Sequence, residues 1–362
     1  MIITIIVFII TLGVLVLVHE FGHFITAKKM GVAVEEFGIG FPPRLWSVKK
    51  KETLYSINAL PLGGFVKLKG ESLTEENQDQ TAQQDSFAVK KIWQRAVIIV
   101  AGVAMNLFLA VILLGFGFLV GLPSAIDNLD PSAKVRDTKM QIVQVESGSV
   151  ADQAGLKAGD AITHLNSEPY QSLDNFLQKK GQLAGQNITL TVSSVGESKD
   201  ASLALGDDAF LGVTLVEVGI VSYPWYLTLF KGIEATFFIV VQIFQALWQM
   251  IASLVVEQKV VGEVAGPVGI AVLANQVAKL GLPYIVQFIA LLSINLAVFN
   301  LLPWPALDGG RLFFLLIEKI KGKPVNQKLE TIIHNAGFIL LIILVIFVTF
   351  KDIFSIRDII GS

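Results

Sequence analysis

Apolar residues gather into four long runs, at residues 2–27, 96–121, 283–306 and 335–350, each set between polar segments. A helix crosses the hydrocarbon core of a bilayer with about 20 predominantly apolar residues. The pattern therefore predicts four transmembrane helices. A fifth apolar stretch, 224–256, differs in kind. Its polar members Lys231, Glu234, Gln242, Gln245, Gln249 and Ser253 recur at helical spacing, which predicts an amphipathic helix lying in the membrane interface. Counted as a span, it would also bring the next run in from the wrong face.

Between the runs, residues 52–70 alternate in polarity. Leu54/Ser56 and Phe65/Lys67 lie on either side of Pro61-Leu62-Gly63-Gly64, a strand-turn-strand pattern. Residues 38–43, with Pro42 and Pro43, read as a rigid, non-helical approach to it. This membrane-associated hairpin is either a short surface feature or an exposed edge able to hydrogen-bond an extended peptide. Residues 71–84 are polar and read as flexible. Residues 122–215 form the one soluble-looking segment. The chain thus divides into 1–121, with two spans and the hairpin; 122–215; 216–282, an interfacial helix and a loop; and 283–362, with the last two spans.

Of 362 residues, 53% are hydrophobic and 16% charged, and the mean hydropathy is +0.65. That balance is too apolar for a soluble domain of this length, so the bilayer is itself a partner. A net charge of −2 speaks against nucleic acid or another polyanion. With no cysteine in the chain, His, Asp and Glu remain as metal ligands. Lys28, Lys29, Lys90, Lys91 and Arg95 border the first two spans, and Lys319, Lys321, Lys323 and Lys328 fill the last connection. By the positive-inside rule both connections are cytoplasmic, which leaves 122–215 and both termini outside. The first run lacks a basic n-region and a small-residue cleavage site, so it is expected to be retained.

The chemistry lies at the end of that run, in His19-Glu20-x-x-His23. Helical residues four apart share a face, so both imidazoles reach one ion, with Glu20 beside them. This is the zincin signature, two neutral imidazoles on Zn²⁺ with the Glu as general base. A catalytic zinc takes a third protein ligand. Pro303 and Pro305 break the third run, and irregular backbone at membrane depth is tolerated where it is buried or lines a cavity. Asp308, just beyond, lies at about the depth of the two histidines and is the preferred third ligand. Glu318 is the rival, in a Lys-rich stretch that reads as solvated. Asn106 reads as a structural interhelical hydrogen bond away from the active site, His334 as interfacial, and His164 as structural.

Two resemblances extend this reading. Ser149-x-Ala151-x-x-Ala154-Gly155-Leu156-x-x-Gly159-Asp160 resembles a PDZ domain, with 173–180 as its helix. Phe210, Leu211, Gly212 and Val213 resemble the PDZ carboxylate-binding loop, placed late as in circularly permuted bacterial forms. Over nearly its full length the chain resembles the site-2 protease family of intramembrane zinc metalloproteases, within it the bacterial regulator-of-sigma-E group. The carrying residues are His19-Glu20-x-x-His23, Pro61 to Lys67, Gly266-Pro267-Val268-Gly269 and Asn300-x-x-Pro303-x-Pro305-x-x-Asp308-Gly309-Gly310. A single PDZ domain departs from the best-known Gram-negative members, which carry two.

The resemblance implies that Asp308 completes the zinc site and that Asn300 and Asn295 contact substrate. It also implies that the hairpin, through Phe65, Val66 and Lys67, binds substrate as an added strand. The expected protein is a multi-pass protease of the bacterial cell membrane with an extracytoplasmic PDZ domain. It would cut single-span membrane proteins, such as anti-sigma factors or signal-peptide remnants, after a site-1-type protease has made a first cut. The alternative is a non-catalytic membrane scaffold presenting the PDZ domain. Glu20 argues against it, since a purely structural metal site needs no general base.

Overall fold

The computed structural model describes residues 2–71, 83–127, 129–146, 148–169, 172–194, 197–206, 209–256 and 266–360. They form two compact units, one of Met1–Leu113, Gly232–Asn275 and Phe288–Ser362, the other of Leu114–Lys231 and Gln276–Gln287.

The first unit opens with helix α1 (Ile2–Lys29), whose last turn carries Lys28 and Lys29, cations that complement the negative end of the helix dipole. Strands β1 (Val34–Lys50) and β2 (Thr53–Leu68) follow and correct the predicted hairpin. The tight turn is at Lys51, φ +56, and residues 38–43 belong to β1. Pro-Leu-Gly-Gly is a bend inside β2, because Pro61 lacks an N–H and Gly63 takes φ +143. As a result Glu36 to Ile39 lie opposite both Leu54 to Ile57 and Gly64 to Lys67. The two halves of β2 flank β1 and do not pair with each other. Ala27, Val34, Leu68 and Ile98 are buried together, fixing this sheet against α1 and helix α2 (Ile92–Val120). Lys69 bonds Asp85 at 2.8 and 2.9 Å and holds its carboxyl below the ordinary carboxylate range.

The second unit is a sheet with two helices in its connections. Its elements are β3 (Leu122–Ala125), β4 (Lys134–Val145), α3 (Val150–Gln153), β5 (Ala161–Leu165), β6 (Glu168–Pro169), α4 (Leu173–Gln182), β7 (Asn187–Ser194), β8 (Glu197–Ala204) and β9 (Val213–Ser222). The spatial order is β3-β9-β4-β5-β7-β8, with β6 on β5. Ile142, Ile162 and Leu190 pack with Phe176 of α4 in a closed core. Ser172 starts α4 by accepting the Asn175 N–H at 3.2 Å, the N-cap arrangement. Strand β9 runs past the expected boundary at 215 as far as Ser222 and supplies partners to both β3 and β4.

Helices α5 (Trp225–Val256), α6 (Pro267–Leu280), α7 (Leu282–Leu301), α8 (Asp308–Lys321) and α9 (Gln327–Ile360) complete the chain. The loop expected between the interfacial helix and the third apolar run gives way, over its described part, to a helix. Pro267 begins α6, a position where its missing N–H costs nothing. The N–H groups of Gly266 and Gly269 donate to the Asp352 carboxylate of α9 at 3.2 and 2.7 Å. Among the described residues, five helices are long and apolar enough to cross a membrane: Ile9–Lys29, Ile92–Val120, Trp225–Val256, Leu282–Leu301 and Lys328–Phe354. The architecture is that of a multi-pass α-helical membrane protein with β-sheet, and α5 qualifies as a span by length and composition.

Candidate metal centre

His19 and His23 belong to an apolar helix, yet they are 5% and 8% exposed. Small residues explain this. A Cβ at Gly22 would lie 2.3 Å from the Ala101 carbonyl oxygen, and one at Gly102 would lie 2.4 Å from His23 Nε2. The α1 and α2 backbones therefore meet at the two histidines. The small residues Ala101 and Gly102 of α2 pack against the centre itself.

Asp308 arrives from the start of α8. Its Oδ2 lies 3.0 Å from His19 Nε2 and 3.3 Å from His23 Nε2, and the two nitrogens are 3.2 Å apart. Among the described residues these three form the one cluster with a metal-ligand donor set. A tetrahedral ion with bonds of 2.0–2.1 Å spaces its ligands about 3.3 Å apart, so the donors already stand at the required separations.

Protonation adds a second test. His23 Nδ1 donates to the Ile98 carbonyl at 2.8 Å, which leaves Nε2 as a bare lone pair in the neutral ring. Asp308 Oδ2 is buried with no hydrogen-bond partner among the described residues. Lone pairs facing one another at this range repel unless a cation stands between them. The residues fit a zinc ion.

Asn106 corrects its predicted role. Its amide meets His19 Nδ1 at 3.3 Å, so the interhelical bond it makes is at the centre. Placed with Nδ2 towards the ring, the amide leaves Oδ1 buried and unpartnered. Turning it over presents Oδ1 to a protonated Nδ1 and leaves His19 Nε2 bare, the arrangement in which a ligand histidine is held from behind. Ser293 Oγ of α7 donates to the Asn106 carbonyl at 2.8 Å, tying a third helix to the same point.

Glu20 lines a cavity of about 230 Å³ together with His23 and Asp308. Phe65 and Val66 of β2 form its wall, and the Val66 backbone bonds the Glu20 carboxylate. A second cavity of about 190 Å³ adjoins it, with Glu71 and Arg311 lining both. These two are ion-paired.

The other expected residues divide. Lys67 pairs with Glu35 at 2.9 Å and is half exposed, so its side chain does not join the cavity wall. Asn295 Nδ2 donates to Leu291 of its own helix at 3.0 Å. Asn300 lies in the last turn of α7, partly exposed. Glu318 is not solvated, because Arg95 bonds it and only 13% of its side chain is exposed; it takes no part in the cluster. His334 Nδ1 accepts the Ala306 N–H at 2.9 Å, and His334 takes no part in the cluster. In the second unit His164 bonds Thr163 at 3.1 Å within its strand. Gly212 takes φ +73 and its carbonyl accepts the Glu146 N–H at 2.8 Å, tying the segment before β9 to the end of β4.

A sequence profile of Peptidase family M50 matches residues 7–344. The chain belongs to that family, the site-2 protease family, and is a metalloendopeptidase. It is 32% identical to the regulator of sigma-W protease RasP of Bacillus subtilis, over 97% of this chain and 98% of that protein. It is 30% identical to the zinc metalloprotease RasP of Oceanobacillus iheyensis, over 97% and 98%, and 29% identical to the protease RseP of Yersinia pestis, over 95% and 97%. The non-catalytic scaffold finds no support among these relatives.

Proposed function

We propose that the chain binds one Zn²⁺ through His19 Nε2, His23 Nε2 and Asp308 Oδ2 and hydrolyses peptide bonds within or near the transmembrane segments of single-span membrane proteins. The observation that carries this is the three facing lone pairs at 3.0 to 3.3 Å. Bound there, zinc supplies Lewis acidity that activates water and polarises a carbonyl. Glu20 accepts a proton from the attacking water and returns it to the departing amine as the C–N bond breaks, leaving one carboxylate and one amine end.

A helical substrate resists attack, because its carbonyls are already hydrogen-bonded and ringed by side chains. The Gly64 to Lys67 strip of β2 meets β1 on one side, and Phe65 and Val66 border the cavity on the other. An extended substrate segment adding to that edge would pass in front of Glu20. Asn300 and Asn295 are proposed to meet the substrate farther along.

We further propose four spans, with α5 in the interface. What supports this is Asp352, close to the outer end of α9, holding the start of α6. Since α5 begins directly after β9, both its flanks then belong to the outer side. The second unit is read as a PDZ domain outside a bacterial cell membrane, with Phe210, Leu211, Gly212 and Val213 as its peptide-binding loop. Substrates would include anti-sigma factors already trimmed by a first protease. Metal analysis with cleavage of a model single-span substrate by wild type and Glu20→Gln tests the whole. A wild type without zinc, or an active Glu20→Gln, rejects it.

A further inference from the structure

The chain between α7 and α8 leads directly into Asp308 and is held from outside. Ala306 takes φ +79, the left-handed region that Cβ–carbonyl sterics disfavour for any residue but glycine. Its N–H donates to His334 Nδ1 at 2.9 Å. One turn along α9, a Cβ at Gly337 would lie 2.3 Å from Pro305 Cβ. Residues three apart share a helix face, so α9 holds Pro305 and Ala306 together. On the other side, Cβ atoms at Gly309 and Gly310 would lie 2.1 Å from the Leu302 carbonyl and 2.3 Å from that of Trp304. The Phe314 ring, 5.5 Å from the His334 ring, packs beside the imidazole.

We propose that His334 is a positioning residue for the hydrolysis: by holding Ala306 in its left-handed conformation it fixes the approach of the Asp308 carboxylate to His19 and His23. The inference rests on Asp308 as a zinc ligand and goes beyond it, because His334 touches neither metal nor substrate. An accepting Nδ1 places the proton on Nε2, so what the loop requires of residue 334 is an acceptor at the Nδ1 position.

The test uses the full-length protein in nanodiscs, with zinc affinity measured by chelator competition and coordination read from the absorption spectrum of the Co²⁺-substituted form. His334→Leu removes the acceptor and is expected to weaken zinc binding about tenfold or more, to alter the Co²⁺ spectrum, and to lower kcat with KM little changed. His334→Asn restores an acceptor near Nδ1 and should recover most of the loss. Ala306→Gly in the His334→Leu background should recover part of it, since glycine takes positive φ unaided.

Wild-type zinc affinity and Co²⁺ spectrum in His334→Leu would overturn the proposal. So would equal impairment of the Leu and Asn variants with no gain from Ala306→Gly. If His334→Leu does not accumulate, His334→Gln, whose longer side chain misplaces its acceptor, takes its place, and zinc affinity equal to that of His334→Asn is the overturning result. A wild type that binds no zinc rejects the metal centre itself, a different outcome.

Discussion

Gly102 of α2 stands so close to His23 of α1 that a Cβ added there would lie 2.4 Å from Nε2 and 2.8 Å from Cε1 of His19. The imidazole of His23 cannot retreat, because Ile98 holds its other nitrogen. Gly102→Ala is therefore expected to tilt the ring and weaken zinc binding by about 10- to 100-fold, the range for disturbed ligand support. Chelator competition measures it, with far-UV circular dichroism to confirm that the helices persist. Unchanged affinity would mean that the helices part at no cost.

The ligands and the base should separate experimentally. His19→Gln, His23→Gln and Asp308→Asn are each expected to lose zinc, whereas Glu20→Gln keeps it and cleaves about 10²- to 10⁴-fold more slowly. Glu318→Gln should keep zinc, since that carboxylate serves Arg95. A ligand that binds only the folded protein raises its melting temperature, so a chelator should lower Tm in wild type and in Glu20→Gln but not in Asp308→Asn. Loss of zinc from Glu318→Gln with full zinc in Asp308→Asn would reassign the third ligand.

The cluster of His19, His23 and Asp308 was legible in sequence because helical spacing places His19 with His23, and because a proline-broken helix forces the backbone before Asp308 into protein. What supports the ligands was not. Asn106 announced itself as an amide in an apolar helix, but whether it faces a histidine or only a neighbouring backbone is decided by the rotation of α2 about its axis. Gly102 and Gly337 carry no chemistry, and their roles exist only as distances between helices. The bend at Pro61 to Gly64 reads in sequence as a tight turn, because proline and glycine mark both. Only the pairing of Glu36 to Ile39 with both halves of β2 distinguishes them.

That pairing makes a prediction at Val66. Its backbone reaches the Glu20 carboxylate, so proline there removes a donor on the cavity side, while the β1 contacts lie on the opposite edge. Val66→Pro is expected to slow cleavage at least tenfold with zinc content unchanged, because the general base loses its backbone partner and the incoming strand meets a proline ring at the edge. Cleavage at the wild-type rate, in a protein that binds zinc normally, would reduce the strip to a wall.

The second unit raises the question of whether it admits substrates or recruits them. β3 already pairs with β9 from Val218 to Val221, and Ile126 N–H donates to the Glu217 carbonyl at 3.0 Å. Among the described residues, the β9 edge open to an added peptide is thus confined to Val213 to Val216, next to the Phe210 loop. Glu217 is further committed, its carboxylate accepting the Leu173 N–H at 2.6 Å at the start of α4. So short an edge gives a recruited chain terminus few backbone hydrogen bonds, each adding about 0.5–1.5 kcal/mol, which favours admission by size over capture. Replacing 122–222 with a Gly/Ser linker is therefore expected to let untrimmed single-span substrates be cut, with trimmed ones cut at close to the wild-type rate. Selective slowing of trimmed substrates would establish recruitment instead. Loss of zinc on deletion would count against both, because the domain would then be holding the membrane helices together.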